Sequence, residues 1–208
     1  MNLSALIMGA GLSSRLKGAN KLLLDWQGKP ILLHTVSNVL AAGFKEILVV
    51  LGNDEDEIKS ALKGYVNEIK IIINPFYKKG LTSSIQCGVD ATDNQTDGFI
   101  ICLGDMFNID GYDYKDLAQY HLLNFHEKEL ITLPKVGDKT GNPVIFSKSF
   151  RSHIMRHKDP KGCKLIVSTA RHSVQYFESN RLQFLQDIDT WNDYHYLLKL
   201  YKNRKVKY

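Results

Sequence analysis

The apolar positions of this chain fall in short unbroken runs rather than in strict alternation. Residues 3–8, 47–51, 69–73 and 98–103 are such runs, each bounded by polar or turn residues, and each predicts a β-strand. Between them lie stretches with apolar residues at helical spacing: residues 30–42, closed by Gly43, then about 55–62, then 81–91. A strand that is apolar at nearly every position must be covered on both faces, as in a parallel sheet with helices above and below. The repetition therefore predicts an α/β fold, a Rossmann-like open and mostly parallel sheet with right-handed crossovers and helices on both faces.

After Leu103 the alternation weakens. Residues 113–127, 150–157, 161–169 and 191–201 predict helices, and 129–133 and 143–146 predict strands separated by a polar turn at 137–141. No internal repeat, low-complexity stretch or long linker divides the chain, so residues 1–208 are expected to form a single domain.

Composition narrows the class. Hydrophobic content of 44% with 24% charged residues is that of a soluble globular protein with one sizeable core. No apolar run approaches the length of a membrane span, and no basic segment precedes the first run, so neither a membrane anchor nor a signal peptide is expected and the cytoplasm is the expected location. The net charge of +5 comes partly from Lys202, Arg204, Lys205 and Lys207 and suits a protein whose ligands are polyanions. No aromatic-basic stripe accompanies that charge, so nucleic acid is not an expected partner. Cys87, Cys102 and Cys163 form no C-x-x-C pair, which excludes a zinc site or disulfide framework of the usual spacing. Cys102, inside an apolar run, reads as a buried small hydrophobe. No histidine stands beside a Ser or Cys nucleophile, and none is given a catalytic role.

In open α/β sheets ligands bind beyond the carboxyl ends of the strands, and three informative groups fall there. The first is the 9–21 loop, Gly-Ala-Gly-Leu-Ser-Ser-Arg-Leu-Lys-Gly-Ala-Asn-Lys. Its glycines let backbone N–H groups approach an anion, and Arg15 and Lys21 supply positive charge where a polyphosphate would lie. It is neither G-x-x-x-x-G-K-[ST] nor G-x-G-x-x-G. The second is Asn74-Pro75, followed by Gly80-Leu81-Thr82-Ser83-Ser84, whose hydroxyls are able both to cap a helix and to contact a ligand. The third is Gly104-Asp105, where a carboxylate faces the same crevice and suits Mg²⁺, an ion that takes one or two protein carboxylates and phosphate oxygens.

These segments resemble the signatures of the nucleotidyltransferases that act on molybdopterin. In the pattern L-x-x-G-x-S-x-R-M-G-x-x-K, residues Gly11, Ser13, Arg15 and Lys21 match; Leu16 replaces Met, and Lys17 stands where Gly is expected, with Gly18 one place later. Asn74, Gly80 and Ser84 fit N-x-x-x-x-x-G-x-x-x-S, and Gly104 and Asp105 fit G-D-x-P with Phe107 in place of Pro. Gly141-Asn142-Pro143 resembles G-x-P with Asn142 in place of His, Lys161-Gly162-Cys163-Lys164 a degenerate k-G-a-r, and Asp187-Ile188-Asp189-Thr190 with Asp193 the ending D-I-D-T-x-x-D. Thr190 and Asp193 also read as a helix cap. Ala10, where guanylyl-transferring relatives carry glycine, makes the chain look most like the molybdenum cofactor cytidylyltransferases, because the extra Cβ narrows the space for a purine.

The resemblance implies a fold of the nucleotide-diphospho-sugar transferase type and transfer of CMP from CTP to the terminal phosphate of molybdopterin. It implies Arg15, Lys21 and Asp105 as catalytic residues, and Mg²⁺ held by Asp105 with Asp189 or Asp187. Gly9, Ala10, Gly11, Ser13, Asn74, Ser83 and Ser84 would bind the nucleotide, and Gly141, Asn142, Lys161 and Lys164 the acceptor, although surface lysines are commonly only solvated. A xanthine-dehydrogenase-like apoenzyme is the implied recipient of the product. Two alternatives stand beside it: use of GTP or of a sugar or alditol phosphate, which shares the loop and Asp105, and a non-catalytic carrier of the finished cofactor, which would keep Asn142 and the acceptor lysines but would not need Lys21 and Asp105 together.

Overall fold

The first strand of the computed structural model, β1 (Leu3–Gly9), is buried along its whole length. Residues 2–16, 18–125 and 129–205 are described; Lys17, Glu127 and Lys207 lie outside them, as do the side chains of the rest of the basic tail. The chain continues through a two-stranded hairpin, β2 (Asp25–Trp26) and β3 (Lys29–Pro30), into α1 (Ile31–Ala41). Then follow β4 (Glu46–Leu51), α2 (Glu55–Ala61), β5 (Lys70–Ile73), α3 (Leu81–Asp90) and β6 (Gly98–Leu103). The second half holds α4 (Gly111–Asn124), β7 (Ile131–Val136), β8 (Lys139–Thr140), β9 (Val144–Ser147), α5 (Arg151–Arg156), α6 (Lys164–Thr169), β10 (Val174–Glu178) and α7 (Trp191–Lys205). No described helix is long and apolar enough to cross a membrane.

The main sheet runs β10-β7-β9-β6-β1-β4-β5, with β8 paired to β7. All strands on that path are parallel except β9, which is antiparallel to both β6 and β7. Alternate residues sort to opposite faces. Leu3, Ala5, Ile7, Val49, Leu51, Ile100 and Cys102 pack beneath α1, α2 and α4, while Leu6, Met8, Leu48, Val50, Phe99 and Ile101 meet α3, α5 and α6. The expected mostly parallel α/β sheet with helices on both faces is therefore present. Cys102 is fully buried, and burial pushes its thiol well above the usual range.

The differences from the sequence reading have local causes. β10 was not expected, because its Val-Gln-Tyr-Phe-Glu composition is that of a half-exposed strand at a sheet edge. The β2–β3 hairpin turns through Gln27 and Gly28, both at positive φ. α4 starts at Gly111 rather than at residue 113 because Asp110 caps it, in a reciprocal capping box with Asp113. α6 starts at Lys164 rather than at residue 161 because Gly162 has φ +78, outside the right-handed helical region.

A third apolar cluster sits off the sheet. Leu16, Trp26, Ile31, Phe107, Ile188 and Leu197 pack together, joining the loop after β1, the hairpin, the segment after β6 and α7. It draws the end of the chain over the carboxyl edge of the sheet.

His121 of α4 is 1% exposed, and its Nδ1 lies 2.7 Å from Thr132 Oγ1 on β7. Burial lowers its pKa from 6.5 to about 4. Between those values the unfolded chain takes up a proton that the folded chain does not, so stability is full above about pH 6.5 and falls as pH drops toward 4. The loss is on the order of 3 kcal/mol. Urea unfolding at pH 7 and pH 4.5 should show this decrease, and His121→Gln should lose less over the same interval; equal losses would remove His121 as the cause.

Candidate active site

The loop after β1 is shaped by its own side chains. Ser13 has φ +47 and its Oγ accepts the Lys21 N–H at 3.1 Å. Asn20 Oδ1 accepts the Leu22 N–H at 3.0 Å, and Asn20 Nδ2 donates to Asp54 Oδ2 at 2.9 Å. Asn20 thus ties the loop to the end of β4 and starts the short turn that aims Lys21 inward. Gly104 holds β6 against β1: its N–H donates to Met8 O at 3.1 Å, and a Cβ there would lie 2.8 Å from that oxygen. The next residue, Asp105, is consequently buried at the sheet edge, 4% exposed.

Two further carboxylates arrive from the end of the chain. In Asp187-Ile188-Asp189, Ile188 is fully buried in the third cluster, and its anchoring sets the flanking aspartates over the crevice. Thr190 and Asp193 close the start of α7 reciprocally, with Asp193 Oδ2 accepting the Thr190 N–H at 2.7 Å and Thr190 Oγ1 accepting the Asp193 N–H at 3.2 Å. Asp105, Asp187 and Asp189 each place one oxygen within 4.8 Å of the others. Such an all-oxygen, anionic set fits a hard divalent cation such as Mg²⁺ or Mn²⁺.

Lys21 lies among these acids. Its Nζ contacts Asp105 Oδ2 and lies 3.2 Å from Asp189 Oδ1, and Arg15 Nη1 meets Asp189 Oδ2. Burial lowers the Lys21 pKa, but the attraction of Asp105 and Asp189 outweighs it and the net shift is upward, so the ammonium stays charged. For Asp187, partial loss of water and then the like charges of Asp105 and Asp189 raise the pKa. Arg15 is exposed, so its ion pair alone adds little stability.

Ala10, Gly11, Ser13, Arg15, Lys21, Ser84 and Asp105 line one cleft of about 510 Å³, together with Asp187 and Asp189. Gly141 and Asn142 line a second cleft of about 520 Å³, and Asp187 borders both.

Other expected ligand residues lie elsewhere. Gly9 is paired beside Leu51 of β4, where a Cβ would meet Leu51 Cδ2 at 3.1 Å, and it does not line the cleft. Asn74 is 2% exposed and its amide is used internally: Nδ2 donates to Ser83 and Ser84 at 3.0 Å, and Oδ1 accepts the Phe76 N–H at 2.9 Å. Ser83 Oγ sits within hydrogen-bond distance of Phe76 O and Gly80 O, so it braces the turn, and it does not line the cleft. Lys161 and Lys164 are exposed and line neither cleft. Their loop is held against the start of α3, where Thr82 Oγ1 accepts the Gly162 N–H at 3.0 Å.

Several site residues escaped the sequence reading. Tyr77 and Lys78 line the first cleft, and Tyr77 rests on Gly52, where a Cβ would lie 2.5 Å from the Tyr77 Cβ. Met106, Lys139, Phe184 and Leu185 line the second. Asn20 was readable as a cap next to Lys21; nothing local in the sequence marks Phe184 or Leu185.

A phosphate-type loop, an acidic cluster and two adjoining clefts at the carboxyl edge of a parallel sheet define a nucleotidyltransferase. Residues 5–176 match the MobA-like NTP transferase domain, and the chain belongs to that family. It is 27% identical to the molybdenum cofactor cytidylyltransferase of Escherichia coli (strain K12), covering 92% of this chain and 93% of that protein. It is 26% identical to the bifunctional protein GlmU of Clostridioides difficile (strain 630), over 90% of this chain but 40% of that protein. The chain spans less than half the length of the GlmU relatives it matches. In fold it is similar to Rv0371c from Mycobacterium tuberculosis H37Rv, with a TM-score of 0.82, 22% identity, and coverage of 95% of this chain and 97% of that one. A structure of Rv0371c in complex with manganese superimposes with a TM-score of 0.76, at 20% identity and coverage of 96% and 99%.

Because Asn20 joins Ser13, Leu22 and Asp54, Asn20→Ala should lower the unfolding free energy by about 1–2 kcal/mol and weaken nucleoside triphosphate binding. Denaturant unfolding and isothermal titration check this. Unchanged affinity would show that the loop keeps its shape without Asn20.

Proposed function

We propose that this protein transfers CMP from CTP to the terminal phosphate of molybdopterin and releases pyrophosphate, acting in the cytoplasm as one domain over residues 1–208. The observation that carries the reading is the meeting of two clefts at Asp187, beside Asp105, Asp189 and Lys21. One cleft would take the nucleoside triphosphate and the other the acceptor, so that the two reacting phosphates meet over the acidic cluster. The end-to-end likeness to the Escherichia coli cytidylyltransferase supports the choice of acceptor, and buried Ala10 at the cleft wall supports a pyrimidine base.

In the reaction a terminal phosphate oxygen of the acceptor attacks the α-phosphorus of CTP, and the bond to the β-phosphate breaks with its electron pair leaving on pyrophosphate. A divalent cation, when held by Asp105, Asp187 and Asp189, supplies charge neutralisation at phosphate oxygens. The protein's own part is positioning and electrostatics. Lys21 would hold the departing β- and γ-phosphates, with Arg15 closing from the mouth of the site. The N–H groups of Ala10 and Gly11 would approach the nucleotide, and Ser84 would meet it from the start of α3. Gly141 and Asn142 would face the acceptor. The GlmU relatives favour a second reading, in which the same machinery serves a sugar or alditol phosphate.

Pyrophosphate release with Mg²⁺ and molybdopterin, offering CTP, GTP, ATP and UTP separately, should occur with CTP. Release with GTP alone would overturn the pyrimidine assignment; release only with sugar or alditol phosphates would overturn the acceptor. Asp105→Ala and Lys21→Ala should each remove most turnover while leaving the thermal unfolding transition cooperative. Full activity in either folded variant would sink the mechanism.

A further inference from the structure

We propose that Arg181 is a positioning residue for the acceptor: its guanidinium fastens the 179–187 segment to the start of α4, and that fastening sets one wall of the second cleft. The proposal rests on the reading that this cleft takes the acceptor. Arg181 Nη1 donates to Asp113 Oδ1 at 2.9 Å and Nη2 to Asp116 Oδ2 at 2.7 Å. The two acids stand three residues apart on one face of α4, so a planar guanidinium reaches both at once. Gln183 Nε2 adds a bond to Asp113 Oδ2 at 2.9 Å. The Asp113 side chain is 4% exposed and also accepts the Asp110 N–H at 3.1 Å, so it is a buried anion with every partner in place. Removing the arginine leaves that carboxylate short of its main counter-charge.

The wall follows directly from this anchor. Immediately after Gln183, Phe184 is fully buried, and its carbonyl accepts the Asn142 N–H at 3.0 Å. A Cβ on Gly141 would lie 2.1 Å from that same oxygen, so the segment and the 137–141 turn are in direct backbone contact. Leu185 and Asp187 then line the cleft. Arg181 lines neither cleft, so its influence passes through the wall and reaches the acceptor side, while the nucleotide loop is held separately by Asn20 and Asp54.

The test compares wild type, Arg181→Met and Arg181→Lys in amide hydrogen exchange and in steady-state kinetics with CTP and molybdopterin. In Arg181→Met, the amides of Asn142 and of residues 182–187 should exchange faster, while that of Leu22 is unchanged. The KM for molybdopterin should rise about tenfold, with CTP affinity by titration falling by less because only Asp187 of this segment borders the nucleotide cleft, and Arg181→Lys should recover part of the loss. Should Arg181→Met not fold, Asp116→Asn is read in the same assays, with smaller changes of the same sign. Unchanged exchange at Asn142 and 182–187 overturns the proposal whatever the acceptor is. Equal losses for both substrates overturn it as well, since they would mark a general stability role. If wild type turns over no molybdopterin with any nucleotide, the acceptor reading has failed, and the exchange result alone decides whether Arg181 sets this wall.

Discussion

Three carboxylates held within 4.8 Å of one another repel, and the Lys21 ammonium stands among them. At an effective dielectric near 20, each such pair costs roughly 3 kcal/mol, less where Asp187 and Asp189 meet solvent. Lys21 offsets this by contacting Asp105 and approaching Asp189 at once. Its own burial disfavours the charge, yet the acids hold it charged. The same arrangement suits polyphosphate chemistry, in which incoming anions and a divalent cation exchange places with groups already balanced in charge.

The fold makes that gathering possible from residues far apart in the chain. β1 and β6 are neighbours in the sheet, so the loop after one and the aspartate after the other share an edge. Gly104 permits that closeness, since a side chain there would strike the Met8 carbonyl. Asp187 and Asp189 follow no strand of the parallel core. They are delivered by burial of Ile188 with Trp26, Phe107 and Leu197, and by the Thr190–Asp193 cap that opens α7. Apolar contact beyond the sheet therefore places the second half of the polar site.

Much of this was legible in the sequence. Continuous apolar runs gave the parallel strands because such strands are buried on both faces, and the turn-rich ends gave the crevice because only there do side chains from different strands converge. The loop residues Ala10, Gly11, Ser13, Arg15 and Lys21, together with Asp105, were readable from residue type and spacing and do line one cleft. Asn74 and Ser83 misled because an amide and a hydroxyl serve equally to hold a turn or a ligand, and here their partners are in the turn. Lys161 and Lys164 misled because a charge near a motif carries no direction. Lys139, on β8, borders the second cleft instead.

By itself the sequence determined the class of fold, its mostly parallel sheet and several of the residues that line the first cleft, since those depend on hydrophobic period and on residues close together in the chain. Tertiary structure alone decided that β9 runs antiparallel between β6 and β7, that an edge strand closes the sheet at β10, and that Phe184 and Leu185 form a wall facing Gly141. These outcomes depend on contacts between segments separated by many tens of residues. Their free energy lies in shape and burial shared between partners, and no local pattern in either partner records it.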